Sequence, residues 1–313
     1  MAGTRGKVYL VGAGTGGIEY LTVRGYHLLE QADVLVYDAL VDSRIRQLLP
    51  PHCVQFDVGK RGGQPSTAQS EINQLLVEQC QQGRQVVRLK SGDPFVFGRS
   101  AAEIEALAQA GCDFEVIPGI SSALAAPLFA SIPLTDPVLS RCFAVLTAHE
   151  PDVLDWEDLA GIDTLVILMG GKYLAEIVEQ LQRHNRSPHT PIAIIRWAGQ
   201  PEQQIWTGTL ESIVQQTSRQ LLSPCIIVIG EVVRLRSYLQ PPLSSQSLPI
   251  SANLSQSLPL TGKTVLVTRA AGQSSAFTAL LQQQGATVLE MPTLAITPPS
   301  SWEALDQAIA NLS

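Results

Sequence analysis

The sequence predicts an α/β fold, because short apolar strands alternate with helical segments along most of the chain. Three observations support this prediction. The alternation runs from residue 7 to about 130, a second group of strand-like segments follows over 142–230, and two of these, 191–196 and 203–208, are spaced as a hairpin. Nearly continuous apolar strands that alternate with helices form a parallel sheet covered on both faces. We therefore expect a parallel-sheet domain followed by a second α/β domain.

The first unit contains four predicted strands and five predicted helices. The strands are expected at 7–11, 34–37, 85–89 and 114–117, and the helices at 19–31, 41–49, 66–82, 119–130 and from about Ser100. Ser66 or Thr67 is expected to cap the helix over 66–82, because a hydroxyl there can accept a backbone N–H. Proline and threonine interrupt the pattern over 133–140, which predicts a domain boundary.

The second unit is followed by a linker and a short tail. Its strands are expected at 142–147, 163–168, 191–196, 203–208 and 224–230. Residues 238–260 are rich in Ser, Pro, Gln and Leu and carry no charge, as linkers do. A strand–helix–strand pattern then begins, but about 50 residues rarely bury enough apolar surface to fold alone. The predicted domains are 1–137 and 138–237, followed by the linker 238–260 and an incomplete segment, 261–313.

Composition excludes several classes of protein. The net charge of −7 argues against a nucleic-acid partner. The first hundred residues, however, contain 11 basic and 9 acidic residues. An anionic substrate is therefore best placed in this part of the chain. The five cysteines are scattered, with no CxxC and no histidine spacing typical of a metal site, which predicts no metal and a reducing compartment. No apolar run approaches the ~20 residues of a membrane span, and the N-terminus lacks a signal core. We expect a cytoplasmic protein without a membrane partner.

A glycine-rich loop after the first strand has two interpretations. Gly12, Gly14 and Gly17 fit G-x-G-x-x-G, and Asp38 ends the next strand about 20 residues later, as in dinucleotide-binding folds. This favours a nicotinamide-dependent dehydrogenase, although no histidine, lysine or tyrosine stands in a context that marks it as the acid–base group. The alternative is a turn whose glycines let the chain pass close to a neighbouring loop.

Residues 86–100 contain the most informative loop of the chain. A short apolar strand ends in Ser91, Gly92, Asp93 and Pro94, and two phenylalanines follow before the next helix. Ligands of open α/β sheets bind at the carboxyl ends of strands, so this loop predicts a cradle for a small, partly cationic ligand. The alternative is a tight turn in which Asp93 caps the backbone and Phe95 and Phe97 lie in the core.

Six segments occur in order and carry a family resemblance. They are KVYLVGAGTGG, ADVLVYDALV, VGKRGGQPSTAQSEINQLLVE, VVRLKSGDPFVFGR, VIPGISSALAAPLFASIPLTD and TPIAIIRWAGQPEQQIWTGTL. Together they resemble the tetrapyrrole methyltransferases, most closely those that act on uroporphyrinogen III, over residues 6 to about 235. The tail from Gly262 resembles, more weakly, the first quarter of uroporphyrinogen-III synthases, which indicates a bifunctional fusion that stops early.

The resemblance implies an enzyme with a parallel-sheet N-terminal domain, a mixed-sheet C-terminal domain and a cleft between them. It implies a homodimer that binds S-adenosyl-L-methionine in this cleft and releases S-adenosyl-L-homocysteine. The reaction it implies is methylation of uroporphyrinogen III at C2 and C7, which gives precorrin-2 for sirohaem or cobalamin synthesis.

The matching motifs also imply site residues. The cofactor positions correspond to Thr15, Ser91, Gly92, Asp93, Val96, Ser121, Ser122, Met169 and Ala198. Asp38 and Lys60 match the positions proposed as proton acceptor and proton donor. The candidate cations for a substrate with eight carboxylates are Arg61, Arg88, Lys90 and Arg99, because charged donors form strong hydrogen bonds to carboxylates.

Simpler roles remain open for several of these residues. Asp38 could cap the helix over 41–49, and Lys60 and Arg61 could be solvated surface charges. Ser121 and Ser122 could serve helix packing, or could open a helix whose free N–H groups receive the cofactor carboxylate.

The chain departs from the family pattern at several positions that we expect around the cleft. Ser91, Ser100, Ala101 and Ala148 stand where the family has glycine, and Ala102 replaces an acidic residue. Gly17 replaces an acidic residue, and Asp136 and Pro137 replace a histidine and a cation. If these changes abolish turnover, the protein would be a scaffold that binds the cofactor without reaction, with a tail that recruits a partner.

Overall fold

The computed structural model describes residues 6–59, 67–240, 260, 262–268, 277–282, 284–291 and 301–310. The chain divides into two compact units, Met1–Gln240 and Pro241–Ser313, and each is described by itself. Within the described ranges, no helix has both the length and the apolar character needed to cross a membrane.

The first sheet of unit 1 is entirely parallel. Its strands are β1 (Lys7–Gly12), β2 (Val34–Tyr37), β3 (Val54–Asp57), β4 (Gln85–Lys90) and β5 (Asp113–Ile117), in the order β3-β2-β4-β1-β5. The predicted parallel sheet is confirmed, and each of its four predicted strands lies within one residue of the expected bounds. Only the end of β3, near Val58 and Gly59 before Lys60 and Arg61, was expected from the sequence, because the mostly exposed VQFD lacks an apolar run.

The second sheet is mixed. Its strands are β6 (Phe143–Thr147), β7 (Thr164–Leu168), β8 (Pro191–Arg196), β9 (Gln204–Thr209) and β10 (Cys225–Ile229), in the order β6-β7-β10-β8-β9. β6 and β7 are parallel, whereas β10 is antiparallel to β7 and β8. The hairpin expected from residues 191–208 is confirmed, with β8 antiparallel to β9. The α/β fold with one parallel and one mixed sheet is therefore as predicted.

Helices cover both sheets. They are α1 (Val23–Leu29), α2 (Gln69–Gln81), α3 (Ser100–Gln109), α4 (Ser122–Phe129), α5 (Trp156–Ala160), α6 (Leu174–Arg183), α7 (Ile213–Gln216) and α8 (Arg236–Leu239). On one face of the first sheet, Leu76 of α2 and Leu107 of α3 pack against Val8 and Val36, whereas Leu29 of α1 packs on the opposite face. Side chains of a strand alternate between faces, so the apolar residues of β1 and β2 supply both cores.

Helix α4 connects the two sheets. It follows β5 of the first sheet, but its small side chains Ala123 and Ala126 pack against Val166 and Val228 of the second. Alanine lets the helix backbone approach the sheet closely. The carboxyl edge of the first sheet therefore faces the second sheet within unit 1.

Two of the predicted helices contain a 3₁₀ helix. The helix expected over 19–31 is a 3₁₀ turn at Ile18–Tyr20 followed by α1, because the Thr22 side chain accepts the Gly25 N–H at 3.1 Å and starts a new helix there. The helix expected over 41–49 is a 3₁₀ helix, Ser43–Leu48.

The expected caps of two helices were wrong. Asp42, not Asp38, caps the 3₁₀ helix by accepting the Arg44 N–H at 2.8 Å. Ala68 precedes α2, and the Glu71 carboxylate accepts the Ala68 N–H at 3.1 Å. One half of a capping box thus replaces the hydroxyl cap expected from Ser66 or Thr67.

Unit 2 contains a parallel strand pair. β11 (Thr264–Val267) and β12 (Thr287–Glu290) run parallel, with helical residues 277–282 between them, and α9 (Glu303–Ala310) follows. This is the strand–helix–strand order expected for the tail. Most of the predicted linker, 238–260, lies outside the described residues.

Candidate active site

Three loops at the carboxyl edge of the first sheet meet through glycines. The backbones of Gly14 and Gly92 exchange two hydrogen bonds, of 3.1 and 2.9 Å. A Cβ atom on Gly12 would lie 2.5 Å from the Gly119 Cα, and one on Gly119 would lie 2.2 Å from the Gly92 carbonyl oxygen. Because no side chain fits at these distances, glycine is required where the loops after β1, β4 and β5 touch.

This packing decides between the two interpretations of the glycine-rich loop. Gly12 packs against Gly92 and Gly119 of the neighbouring loops, the Gly14 backbone is hydrogen-bonded to Gly92, and α1 begins only at Val23, several residues beyond the motif. In a dinucleotide-binding fold the loop opens directly into a helix whose N-terminus receives a pyrophosphate. Asp38, the candidate ribose ligand, is instead bound to Arg88. The dehydrogenase interpretation was therefore wrong, and the close-packed turn is confirmed.

Asp93 ties two of these loops together. Its carboxylate accepts the Phe95 N–H at 2.8 Å and the Gly119 N–H at 3.0 Å. The interpretation of Asp93 as a backbone cap is thus confirmed. The interpretation of the two phenylalanines as core residues was wrong, because Phe95 is 67% exposed and Phe97 is 43% exposed.

The loop after β5 directs the start of α4 toward the same edge. Ser121 caps this helix by accepting the Ala123 N–H at 3.3 Å, and α4 begins at Ser122. The first N–H groups of a helix have no partner within it and favour an anion nearby.

A cavity of about 670 Å³ lies between the two sheets. Its volume is in the range typical of small-molecule sites. Thirteen residues predicted for the site line it: Thr15, Asp38, Arg88, Lys90, Ser91, Gly92, Asp93, Val96, Arg99, Ser121, Ser122, Met169 and Ala198. Lys60 and Arg61 lie outside the described residues. In the part of the chain that the structure describes, no cluster of three or more His, Cys, Asp and Glu could hold a metal ion.

Other residues of the cavity wall include Phe97, His149, Trp197 and Gln200. The sequence placed Phe97 in the loop expected to cradle a ligand and His149 in a family motif expected near the cleft, but it singled out neither Trp197 nor Gln200. His149 follows β6 closely in the sequence. Because β6 and β7 are parallel, their carboxyl ends lie at the same edge of the sheet, where ligands of α/β folds bind, and this position indicates His149 as a candidate site residue. Phe97 and Trp197 have positive φ angles, 54° and 51°, which no sequence pattern indicates.

Four charged side chains form a continuous chain beside the cavity. The Arg88 guanidinium donates to the Asp38 carboxylate at 2.6 Å and to Glu103 at 2.9 Å, and the Lys90 ammonium donates to Glu103 at 2.7 Å. Arg88 and Lys90 are each 3% exposed, and Glu103 is fully buried. Internal carboxylates therefore already bind the two cations that were predicted to bind substrate.

The surroundings of Arg88 and Lys90 shift the pKa values of these two side chains in opposite directions. Burial disfavours the Arg88 charge, but the Asp38 and Glu103 carboxylates more than offset it, so the pKa of Arg88 lies above its usual value. Burial lowers the pKa of the Lys90 ammonium below its usual value, with a further contribution from the Arg88 charge and in spite of Glu103. By contrast, Arg99 is exposed at the start of α3 and forms no ion pair with another described residue.

Of the departures from the family pattern, Gly17, Asp136 and Pro137 do not line the cavity. The position of Gly17 is closed by neighbours, because a Cβ atom there would lie 2.5 Å from the Glu19 carboxylate and 2.6 Å from the Arg44 guanidinium. Asp136 accepts the backbone N–H groups of Val138 and Leu139, both at 2.9 Å, and so caps a turn together with Pro137. Any effect of these three residues on the cleft would therefore be indirect.

Comparisons with known proteins agree with this geometry. A family model described as Tetrapyrrole (Corrin/Porphyrin) Methylases matches residues 7–214. A uroporphyrinogen-III C-methyltransferase of Synechococcus elongatus is 61% identical over 233 residues, which cover 74% of this chain and 96% of the relative. A sirohaem synthase 1 of Pectobacterium atrosepticum is 43% identical over 81% of this chain. That relative is longer, and the match covers only 55% of its length.

A solved structure shares the fold. The crystal structure of uroporphyrin-III C-methyltransferase from Thermus thermophilus, complexed with S-adenosyl homocysteine, superposes with a TM-score of 0.64 at 37% identity. The superposition covers 74% of this chain and 100% of that one. Because the family model matches more than half of the chain and the Synechococcus relative is covered almost completely, the chain belongs to the tetrapyrrole (corrin/porphyrin) methylase family.

Proposed function

We propose that this chain transfers methyl groups from S-adenosyl-L-methionine to C2 and C7 of uroporphyrinogen III, giving precorrin-2 for sirohaem or cobalamin synthesis. The observation that carries the proposal is the cavity between the sheets, whose wall includes every residue matched to the family's cofactor positions. The names of the relatives and the S-adenosyl homocysteine bound to the Thermus enzyme support it.

In this reaction the protein has to position the two reactants and does not have to activate the methyl donor. The sulfonium methyl group is already electrophilic, so the protein must hold sulfur, methyl and ring carbon in line at about 3–3.5 Å. The pyrrole carbon forms a bond to the methyl group while the carbon–sulfur bond breaks and its electron pair stays on sulfur. The ring is then cationic and loses a proton to a base.

We assign the proton-transfer roles to Asp38 as acceptor and Lys60 as donor. Asp38 lines the cavity and is partly exposed, as a base that meets a substrate must be. Arg99, exposed in the cavity wall, and Arg61 are the cations we assign to substrate carboxylates. Arg88 and Lys90 line the same wall, but the Asp38 and Glu103 carboxylates balance their charges.

We assign the cofactor to the side of the cavity built by the glycine-linked loops. The N-terminus of α4, at Ser121 and Ser122, suits the carboxylate of the methionine moiety. Met169 and Ala198 line the cavity from the second sheet, opposite these loops.

The test is a single incubation. The purified protein is mixed anaerobically with uroporphyrinogen III and S-adenosyl-L-methionine, and the masses of the tetrapyrrole and of S-adenosyl-L-homocysteine are followed. The proposal predicts two added methyl groups and two S-adenosyl-L-homocysteine molecules per tetrapyrrole. Binding of S-adenosyl-L-methionine without methyl transfer would contradict it and favour the scaffold.

We further propose a cytoplasmic homodimer. All five cysteines are free, as suits a reducing compartment. Leu124 and Leu128 on α4 are 50% and 73% exposed, and a second copy of the chain would cover this apolar face. Sedimentation equilibrium would show a dimer if this is right and a monomer if it is wrong.

We also propose that the tail over 261–313 is part of a uroporphyrinogen-III synthase-like domain. The parallel β11–β12 pair with helical residues between supports an α/β domain of this kind. An assay for uroporphyrinogen III formation by the full chain tests whether this segment has activity of its own.

A further inference from the structure

The charge chain beside the cavity contains a residue that the proposed mechanism does not use. Glu103 of α3 is completely buried, and its two carboxylate oxygens accept separate cations, Arg88 at 2.9 Å and Lys90 at 2.7 Å. Buried ion pairs add little net stability, and apolar side chains of the same volume often serve as well. The network therefore calls for an explanation besides stability.

The elements around Glu103 fix its place. Arg88 and Lys90 stand two apart on β4 and so point to the same face of the sheet, where α3 covers them. The Ser100 hydroxyl donates to the Pro94 carbonyl at 2.5 Å and holds the first turn of α3 against the loop after β4. With both oxygens engaged, the Glu103 carboxylate cannot rotate without breaking one of two charge-assisted bonds.

The Arg88 guanidinium links the fixed Glu103 carboxylate to Asp38, which lines the cavity. Its Nε donates to Glu103, one terminal nitrogen donates to the Leu89 carbonyl at 3.3 Å, and the other donates to Asp38 Oδ1 at 2.6 Å. The guanidinium is planar and rigid, so its position against Glu103 determines where Asp38 Oδ1 lies. Among the described residues, no hydrogen bond engages Asp38 Oδ2.

We propose that Glu103 is a positioning residue for proton removal: it fixes Arg88, which holds Asp38 by one oxygen and leaves the other to take the proton. This inference rests on the proposed function and on Asp38 as its proton acceptor. In the step concerned, a carbon–hydrogen bond of the methylene bridge beside the methylated ring breaks, its electron pair neutralises the cationic ring, and the proton goes to Asp38 Oδ2. No further reactant is needed.

The test is a double-mutant cycle between Glu103→Gln and Asp38→Asn. In the wild-type background, Glu103→Gln should lower kcat by about 10- to 100-fold, while KM for uroporphyrinogen III and Kd for S-adenosyl-L-methionine change by less than about twofold. In the Asp38→Asn background the same substitution should change kcat by less than about twofold, because a residue that acts only through Asp38 has nothing left to position.

Two further variants keep the test decisive. Glu115→Gln is the matched control, since Glu115 also accepts two cations, Lys7 at 2.7 Å and Arg24 at 3.0 Å, but outside the cavity; it should leave kcat unchanged. If Glu103→Gln fails to fold, Arg88→Lys replaces it, because lysine keeps the charge but cannot bridge two carboxylates, and it should give the same loss only where Asp38 is present.

The outcomes separate the inference from the proposed function. Equal losses of kcat in both backgrounds, or a loss that appears in the Kd for S-adenosyl-L-methionine, would overturn the positioning role and leave the methyltransferase standing. A wild-type protein that transfers no methyl group would overturn the proposed function and this inference with it.

Discussion

Several aspartates of this chain accept hydrogen bonds from the backbone around them, and Asp93 is the clearest example. It joins the loop after β4 to the loop after β5 through two N–H groups, those of Phe95 and Gly119. Asp136 does the same within one turn, with the N–H groups of Val138 and Leu139. The difference between them is location, since only Asp93 lines the cavity.

Replacement of Asp93 tests whether this link shapes the cofactor site. We expect Asp93→Ala to raise the Kd for S-adenosyl-L-methionine at least tenfold and to cost about 1–3 kcal/mol of unfolding free energy, because two N–H groups lose a charged acceptor. Calorimetric titration and urea denaturation measure the two effects.

Asp136→Ala is the control for Asp93→Ala. It removes a carboxylate that also accepts two N–H groups but stands away from the cavity, so stability should fall while the Kd stays unchanged. An unchanged Kd in Asp93→Ala would remove that residue from the cofactor site. If Asp93→Ala raises the Kd for S-adenosyl-L-methionine but leaves the unfolding free energy unchanged, Asp93 binds the cofactor directly and does not stabilise the loops.

Two departures from the family pattern have local explanations in the structure. The Glu19 carboxylate lies beside Gly17 and next to Arg44, so an acidic group is present there although residue 17 lacks one. Ser100 stands where the family has glycine, and its hydroxyl binds the Pro94 carbonyl instead of entering the cavity. Neither change therefore removes a group from the cavity wall.

At the scale of elements, the site depends on how closely three loops approach. Gly119 is the most demanding position, because a Cβ atom there would lie 2.2 Å from the Gly92 carbonyl oxygen and 2.7 Å from the Gly12 Cα. Both neighbours are backbone atoms, which cannot rotate away as a side chain can. Any side chain at residue 119 must separate the loops.

Gly119→Ala should therefore damage both stability and binding. We expect a loss of about 1–3 kcal/mol of unfolding free energy, as for overpacked cores, together with weaker binding of S-adenosyl-L-methionine. Gly161→Ala is the control, since a Cβ atom there meets only the Asp158 carbonyl oxygen at 3.7 Å and fits without movement. Full binding by Gly119→Ala would show that the loop contact does not shape the cavity.

The sequence predicted strands better than helix starts, for a physical reason. Strands such as β2 and β8 are uninterrupted apolar runs, and their burial on both faces leaves little freedom in their bounds. Helix starts depend on which of several neighbouring polar residues caps the backbone, as with Asp42 instead of Asp38. Local sequence alone does not decide between such caps.

Motifs predicted the cavity wall, whereas the partners of its charges could not be predicted. Arg88 and Lys90 looked like free cations because their partner Glu103 lies on a different element, α3. Pairing across elements depends on tertiary packing, which spacing along the chain does not show. Met169 and Trp197 similarly adopt positive φ angles that only the surrounding structure imposes.

For the whole molecule, the described cavity belongs to unit 1. Every residue of its wall lies before Gln240, and the Synechococcus relative matches 233 residues of this chain while being covered over 96% of its own length. A domain with its own core and site can fold and act alone. Nothing in the cavity wall requires a residue of the tail.

A chain that ends at Gln240 should therefore keep its methyltransferase activity. We expect kcat and the Kd for S-adenosyl-L-methionine to stay within about twofold of the full chain, because unit 1 has its own cores and the whole cavity wall. Initial rates of S-adenosyl-L-homocysteine formation compare the two proteins at equal concentration. A truncated protein that folds but has lost activity would mean that the tail contributes to the reaction, and the site would then have to include residues beyond unit 1.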